Sequence, residues 1–175
     1  MIYIINNGKD AEEIAKFLRS KSEVMAPNKT KVNGDAYILS DGDVKNKAAN
    51  IKLLKKLGCP VLGIGAGSLF IAATFGAAFK KGKPEKSKII KVKKSCPLLL
   101  GFKKVFKAQD SCNHFLEALP ENMHISASSS KYEFEIIQDM ENPWFGIHFN
   151  PTTMETVNIL RNFEKFVGMW ERYHK

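Results

Sequence analysis

The sequence predicts an α/β fold of three layers, in which helices flank a mostly parallel central sheet and a smaller antiparallel sheet is added. Two observations carry that prediction. The first hundred residues alternate short apolar strands with helical segments, and such repeats place helices on both faces of a parallel sheet. The second half is richer in strands. The chain has 175 residues, 44% of them apolar, enough for a sizeable core in one domain over residues 1–175.

Ile2 to Ile5 reads as the first strand, ending at Asn6-Asn7-Gly8. Asp10 and Glu13 have capping-box spacing at the start of a helix, and Ile14, Phe17 and Leu18 give that helix a buried face. Ala36 to Leu39 is the next strand, ending in Ser40-Asp41-Gly42. Ala48, Ile51, Leu54 and Leu57 mark one side of a second helix, with Gly58 as its stop. Pro60 to Ile64 is a strand that runs into a glycine-rich turn, and a helix of small and apolar residues follows to Ala78. Working sites in parallel sheets lie at the carboxyl ends of the strands. The loops at 6–8, 40–43 and 65–68 therefore converge. Lys88 to Val92, Lys104 to Lys107, Met123 to Ala127, Glu133 to Ile137 and Trp144 to Phe149 read as further strands, and a last helix runs from Met154 to Trp170. There is no internal repeat.

Composition excludes several classes. No run of about 18 apolar residues exists, and the N-terminal MIYIINNGKD lacks the basic region and cleavage site of a secretory signal. Cys59, Cys96 and Cys112 lie far apart and the four histidines do not cluster. No metal site, cofactor or disulfide framework is expected, and free thiols point to the cytoplasm. The formal charge is +9, of which residues 80–94 hold +7. Such a patch can meet an acidic partner or nucleic acid. It also reads as a solvated hairpin, because Lys91 and Lys93 alternate with Ile90 and Val92. No aromatic residue interleaves with the lysines, so a stacking platform for single strands is not indicated.

Residues 60–76, PVLGIGAGSLFIAATFG, have the strand, glycine-flanked turn and helix of a nucleophile elbow. The central position is Gly65, which carries no nucleophile. This segment resembles the Gly-Ile-Cys-x-Gly-His-Gln turn of class I glutamine amidotransferases, read here as Gly63, Ile64, Gly65, Ala66, Gly67, Ser68 and Leu69. Their Leu-Ser-Gly-Gly-Pro loop matches Leu39, Ser40, Asp41, Gly42 and Asp43. Their Gly-Val-Gln-Phe-His-Pro-Glu matches Gly146 to Thr152, with His148, Asn150 and Thr152 at the glutamine, histidine and glutamate. Cys96 to Gly101, Ser111 to Pro120, Ala127 to Ser129 and Ile159 to Phe163 resemble the GMP synthase branch of that family. The resemblance implies a flavodoxin-like amidotransferase scaffold.

It also implies a degenerate triad at Gly65, Asn150 and Thr152. Glutamine hydrolysis needs a thiolate, an imidazole that moves its proton and a carboxylate that orients the imidazole. None of the three stands here. The backbone N–H groups of Gly42 and Ala66 remain as an oxyanion cradle, in a pocket of Ser40, Asp41, Gly67, Ser68, Leu69, Ser111, Cys112 and His148. The reading is a non-hydrolysing binding or regulatory subunit. The resemblance suggests an ATP-pyrophosphatase-type synthetase subunit, or another acidic protein, as partner. Lys91, Lys93, Asn113 and His114 are its candidate contact surface. Two alternatives stand beside it: altered chemistry through a relocated Cys112–His148 pair, and nucleic-acid binding through the lysine-rich segment.

Overall fold

The computed structural model describes residues 1–110 and 112–175. Its parallel strands are β1 (Ile2–Ile5), β2 (Ser22–Met25), β3 (Ala36–Leu39), β4 (Val61–Ile64) and β11 (Trp144–Ile147). The antiparallel ones are β6 (Lys88–Val92), β7 (Val105–Ala108), β9 (Met123–Ser128) and β10 (Ile136–Asp139). They form one nine-stranded sheet in the order β2-β1-β3-β4-β11-β10-β9-β6-β7. The pairing is parallel from β2 to β11 and antiparallel from there to β7. Two short strands, β5 (Phe79–Lys81) and β8 (His114–Leu116), make a separate antiparallel sheet.

Helices close both faces. On one side α1 (Ala11–Phe17) and α4 (Asn158–His174) bury Ile14, Ile159, Leu160 and Phe163 against Ile4, Ile38 and Phe145. On the other, α2 (Lys47–Leu54) and α3 (Ala66–Ala73) bury Leu53, Leu54, Leu69 and Ile71 against Ile5, Tyr37 and Leu39. The alternation of Ile4 with Ile5 and of Ile38 with Leu39 across the two cores is the period-2 pattern of a sheet covered on both faces. Asn162 is buried on α4 and its Nδ2 donates to the carbonyls of Leu98 and Leu100, both at 2.8 Å. That bond pair fixes the loop containing the 3-10 turn Pro97–Leu99 to the helix.

Several local expectations are corrected. Asp10 sits at φ 63° and its side chain caps nothing, so the capping box does not form. The second helix ends at Leu54, and Leu57 N–H bonds back to Leu54 in a tightened turn before Gly58. The elbow helix stops at Ala73, because β5 must turn outward to meet β8. The last helix starts at Asn158 and ends at His174, displaced along the chain from the span its periodicity suggests. In β6 Lys88 and Ile90 face inward while Ile89 and Lys91 are exposed. Lys103, Lys104 and Lys107 stand exposed on or beside the edge strand β7, where lysines discourage pairing with another chain.

The elbow helix lies very close to the sheet. A Cβ on Gly67 would collide with the main-chain oxygen of Leu39 and come within 2.8 Å of the Leu39 Cβ. Gly67→Ala should therefore lift α3 off β3. The expected destabilisation is about 3 kcal/mol, the upper part of the overpacking range. A lowered denaturant midpoint with an unchanged m-value would check it.

Candidate functional site

Parallel strands β1, β3, β4 and β11 are neighbours in the sheet, so the loops that follow them gather at one end of it. Gly65 occupies the elbow between β4 and α3 with φ 55° and ψ −115°, a backbone region that only glycine enters at little cost. Its N–H donates to the Ile147 carbonyl at 2.8 Å. The N–H groups of Gly42 and Ala66 converge on one atom. Both donate to Oδ1 of Asp41, at 2.8 and 2.9 Å. A Cβ on Gly65 would collide with Cγ and Oδ1 of that same carboxylate. Asp41 thus takes both N–H groups and fills the space that a side chain at position 65 would need.

The Asp41 backbone is held as firmly. Its carbonyl accepts from Lys9 N–H at 3.0 Å and from the Ser40 hydroxyl at 3.0 Å, and Ser40 Oγ accepts from Asn7 N–H at 2.9 Å. Asn7 is itself buried and forms a reciprocal amide pair with Asn50 of α2, at 2.7 and 3.2 Å. Asn50 also donates to the Asn46 carbonyl, and Asn46 to the Asn7 carbonyl. This amide ladder ties the loop after β1 to the helix after β3.

At the end of β11, Asn150 and Thr152 are bonded to each other. Asn150 Oδ1 accepts from the Thr152 N–H at 2.8 Å and from its hydroxyl at 2.7 Å. Neither group titrates near neutral pH, so the pair can be held but moves no proton.

His148 belongs to a different constellation. It is fully buried, with Nε2 2.8 Å from the His114 carbonyl and Nδ1 3.1 Å from Asp110 Oδ1. Lys88 Nζ bridges Asp110 and Glu135, the latter at 2.6 Å, and Glu135 Oε1 is 3.8 Å from His148 Nδ1. The carbonyl can only accept, so Nε2 carries a hydrogen. When Nδ1 also carries one, two cations balance two carboxylates. Phe115 and Tyr132 flank the imidazole, each with its ring centre 4.6 Å away. Burial pushes the Asp110 carboxyl up, but the His148 hydrogen bond and the Lys88 and His148 charges outweigh it and hold it low. Burial raises the Glu135 carboxyl, and Lys88 offsets this only in part. One oxygen of Glu135, Oε2, is buried without a partner among the described residues. Asp110, Glu135 and His148 have a spacing compatible with a metal, but the Lys88 ammonium already occupies the cation position between the carboxylates.

Cys112 is buried and its thiol bonds to the His114 carbonyl at 3.5 Å. His148 Nε2 donates to that same oxygen. The expected Cys112–His148 pair is therefore corrected: both groups direct a donor at one carbonyl instead of at each other. Burial, followed by the Asp41 charge, pushes the thiol up to about 12. His114 bonds its neighbour Asn113 at 2.9 Å on the exposed side of β8. A cavity of about 750 Å³ opens in front of Asp41 and is lined by Asn6, Asn7, Gly42, Asn46, Cys112 and Asn113 among others. Gly67, Ser68 and Leu69 are buried in α3 beneath it, with Ser68 turned toward Gly146. Ser40 is used in the loop bond network. Ser111 lies outside the described residues. Lys91 and Lys93 are on and after β6, away from the elbow, with Lys91 exposed.

The family profile described as Glutamine amidotransferase class-I matches residues 4–168. The chain belongs to the class I glutamine amidotransferase family. Among its relatives, a subunit of the glutamine-hydrolyzing GMP synthase of Methanosphaera stadtmanae is 29% identical over 184 residues, covering 98% of this chain and 99% of that protein. The corresponding protein of Methanocaldococcus jannaschii is also 29% identical, with 96% and 98% coverage. A crystal structure from Thermoplasma acidophilum, described as a GMP synthase subunit, superposes with a TM-score of 0.90 at 22% identity, covering 98% and 96%. A Thermotoga maritima glutamine amidotransferase gives 0.70 at 15% identity, covering 98% and 84%.

In this amidotransferase fold, the sequence places a glycine turn between β4 and α3, and the Gly42 and Ala66 N–H groups expected beside it do converge. It did not foresee that they converge on Asp41, nor the Asn7–Asn50 pair, nor the pairing of Lys88, Asp110 and Glu135. A signal for part of the last group existed: Lys88 shares its face of the strand with Ile90, whereas Glu135, buried just before β10, had none.

Three measurements test this geometry. Iodoacetamide at about pH 8 should label all three cysteines slowly in the folded protein. Burial raises each thiol, Cys59 to about 11, and half-buried Cys59 should react first. Peptide mapping would read the order. Lys88→Met leaves two buried carboxylates facing one imidazole and should cost about 3–5 kcal/mol. The Asp110 pKa is lowered on folding, so its contribution is complete above the unfolded value near 3.9 and is lost as pH falls through the folded value. Glu135 acts with the opposite sign, favouring the fold at low pH. Asp110→Asn should therefore lose less Tm than the native chain on acidification below about pH 4, as read by melting curves.

Proposed function

We propose that this chain is a non-hydrolysing relative of the amidotransferase subunit of GMP synthase and works by binding. The observation that carries the reading is the elbow: Gly65 stands at the nucleophile position and the Asp41 carboxylate stands in the cradle. Losing members of such a catalytic unit costs on the order of 10⁴–10⁶-fold in rate, and here the thiol, the base and its orienting carboxylate are all replaced. The cavity at the sheet end remains, and so does the scaffold that formed it.

Relatives are named as subunits of a synthase, which makes an ATP-pyrophosphatase-type synthetase subunit the first partner to try. Lys91, Lys93 and the Asn113–His114 edge of β8 are the contact surfaces proposed for it or for another acidic protein. A cytoplasmic setting fits the three free thiols. No described helix is long and apolar enough to cross a membrane. Altered chemistry through Cys112 is disfavoured by its raised pKa and its bond to a carbonyl. The nucleic-acid reading is weakened because Lys88, counted in the basic run, is buried in ion pairs.

Ammonia release from glutamine tests the proposal, with the protein alone and then with its co-purified synthetase partner and that partner's nucleotide substrates. No release in either mixture is expected, together with retained complex formation by size-exclusion chromatography. Release that persists through repurification and is lost in Cys112→Ser would overturn it.

A further inference from the structure

The amidotransferase cradle is built to receive an oxygen from outside the chain, and here an oxygen of the chain occupies it. We propose that Asp41 acts as an internal ligand of the elbow and forms a mutually exclusive pair with any side chain at position 65. In this arrangement the carboxylate at 41, as much as the missing thiol, closes the pocket to glutamine and to other carboxylate or carboxamide ligands. The inference rests on reading the site as non-hydrolysing and names the residue that keeps it shut.

Three observations support it. Oδ1 of Asp41 accepts from Gly42 and Ala66 N–H at 2.8 and 2.9 Å. These are the groups on which a ligand carbonyl would have to settle, so it must displace an anion already bonded to the N-terminus of α3. Next, a Cβ at position 65 would meet Cγ, Oδ1 and, at 2.9 Å, Cβ of Asp41. The collision is with a buried carboxylate fixed by two N–H bonds, not with the loose end of a long side chain. Finally, Asp41 cannot withdraw easily through its backbone, because its carbonyl is held by Lys9 N–H and the Ser40 hydroxyl. The cavity in front of it is open, so the block is at the cradle and not at the entrance.

Electrostatics give the pair a direction. A thiol at 65 beside the Asp41 carboxylate would have its pKa raised, whereas the same thiol over an emptied helix N-terminus would have it lowered. Removing the carboxylate also orphans the buried Ala66 N–H and the half-buried Gly42 N–H, which a small exogenous carboxylate can satisfy.

The test uses the full chain as native protein, Asp41→Gly, Gly65→Cys and the double variant. Melting is followed with increasing sodium formate against sodium chloride at equal ionic strength. Asp41→Gly is expected to melt below the native protein and to regain stability saturably with formate only, while the native chain shows no formate-specific response. The double variant is expected to melt above the sum of the two single effects, and its residue 65 thiol to label with iodoacetamide at least about tenfold faster than in Gly65→Cys. Should Asp41→Gly not fold, Asp41→Asn keeps an oxygen in the cradle. It should fold, ignore formate and, when combined with Gly65→Cys, still slow thiol labelling relative to free cysteine. Strict additivity, equal labelling, or a Gly65→Cys protein as stable as the native one would overturn the proposal. Ammonia release by the native chain would instead strike at the functional reading, leaving the melting cycle to judge the Asp41 lock.

Discussion

Everything at the working end of this sheet depends on what accepts the N–H groups at the start of α3. A helix that begins in the interior leaves donors that cost roughly 1–3 kcal/mol each if they find no partner. Here Asp41 Oδ1 takes the Ala66 N–H and, on the same atom, the Gly42 N–H. That single oxygen joins the loop after β3 to the elbow after β4. The loop after β1 joins through Lys9 N–H and Asn7, and α2 joins through Asn50. Three loops and α2 are held together by Asp41, through its carboxylate and its main-chain carbonyl, by the Ser40 hydroxyl and by the amide ladder.

The second polar centre follows a different logic. Lys88, Asp110, Glu135 and His148 are almost fully removed from water, and buried charges of this kind are held by balance more than by gain. Their value lies in register: β6, the turn before β8, the approach to β10 and the end of β11 are brought together by groups that tolerate no slip. The placement also fixes His148, whose ring is committed to a carbonyl on one side and to a carboxylate on the other.

How much of this was legible follows from the range of each signal. Strands β1, β3 and β4 announced themselves because each is a short apolar run closed by a turn signal. By contrast, β5 and β8 have three residues each, too few for a period to show, and β2 is a partly exposed edge strand with no alternation. The elbow was legible from its glycines and from a family resemblance. The destination of the Asp41 side chain was not, since the motif reports only that a glycine position became aspartate. The Asn7–Asn50 pair spans 43 residues and has no local pattern at all. The polar tetrad was visible only at Lys88, an inward-facing charge in β6, and its pairing with the other three needs the sheet order.

The residues at this end of the sheet each meet a demand of the fold. Backbone geometry at the elbow requires a residue that accepts φ 55°, and Gly65 meets that with less strain than any residue bearing a Cβ. The cradle donors require an acceptor, and Asp41 supplies one at all times where a substrate would do so only when bound. The segment after β11 requires an internal bond to hold its turn, and the Thr152 hydroxyl and N–H give Asn150 two. Each of these residues answers the structural demand at its own position. Positions 65 and 41 are not independent. A glycine at 65 makes room for the carboxylate at 41, and a Cβ there would collide with it.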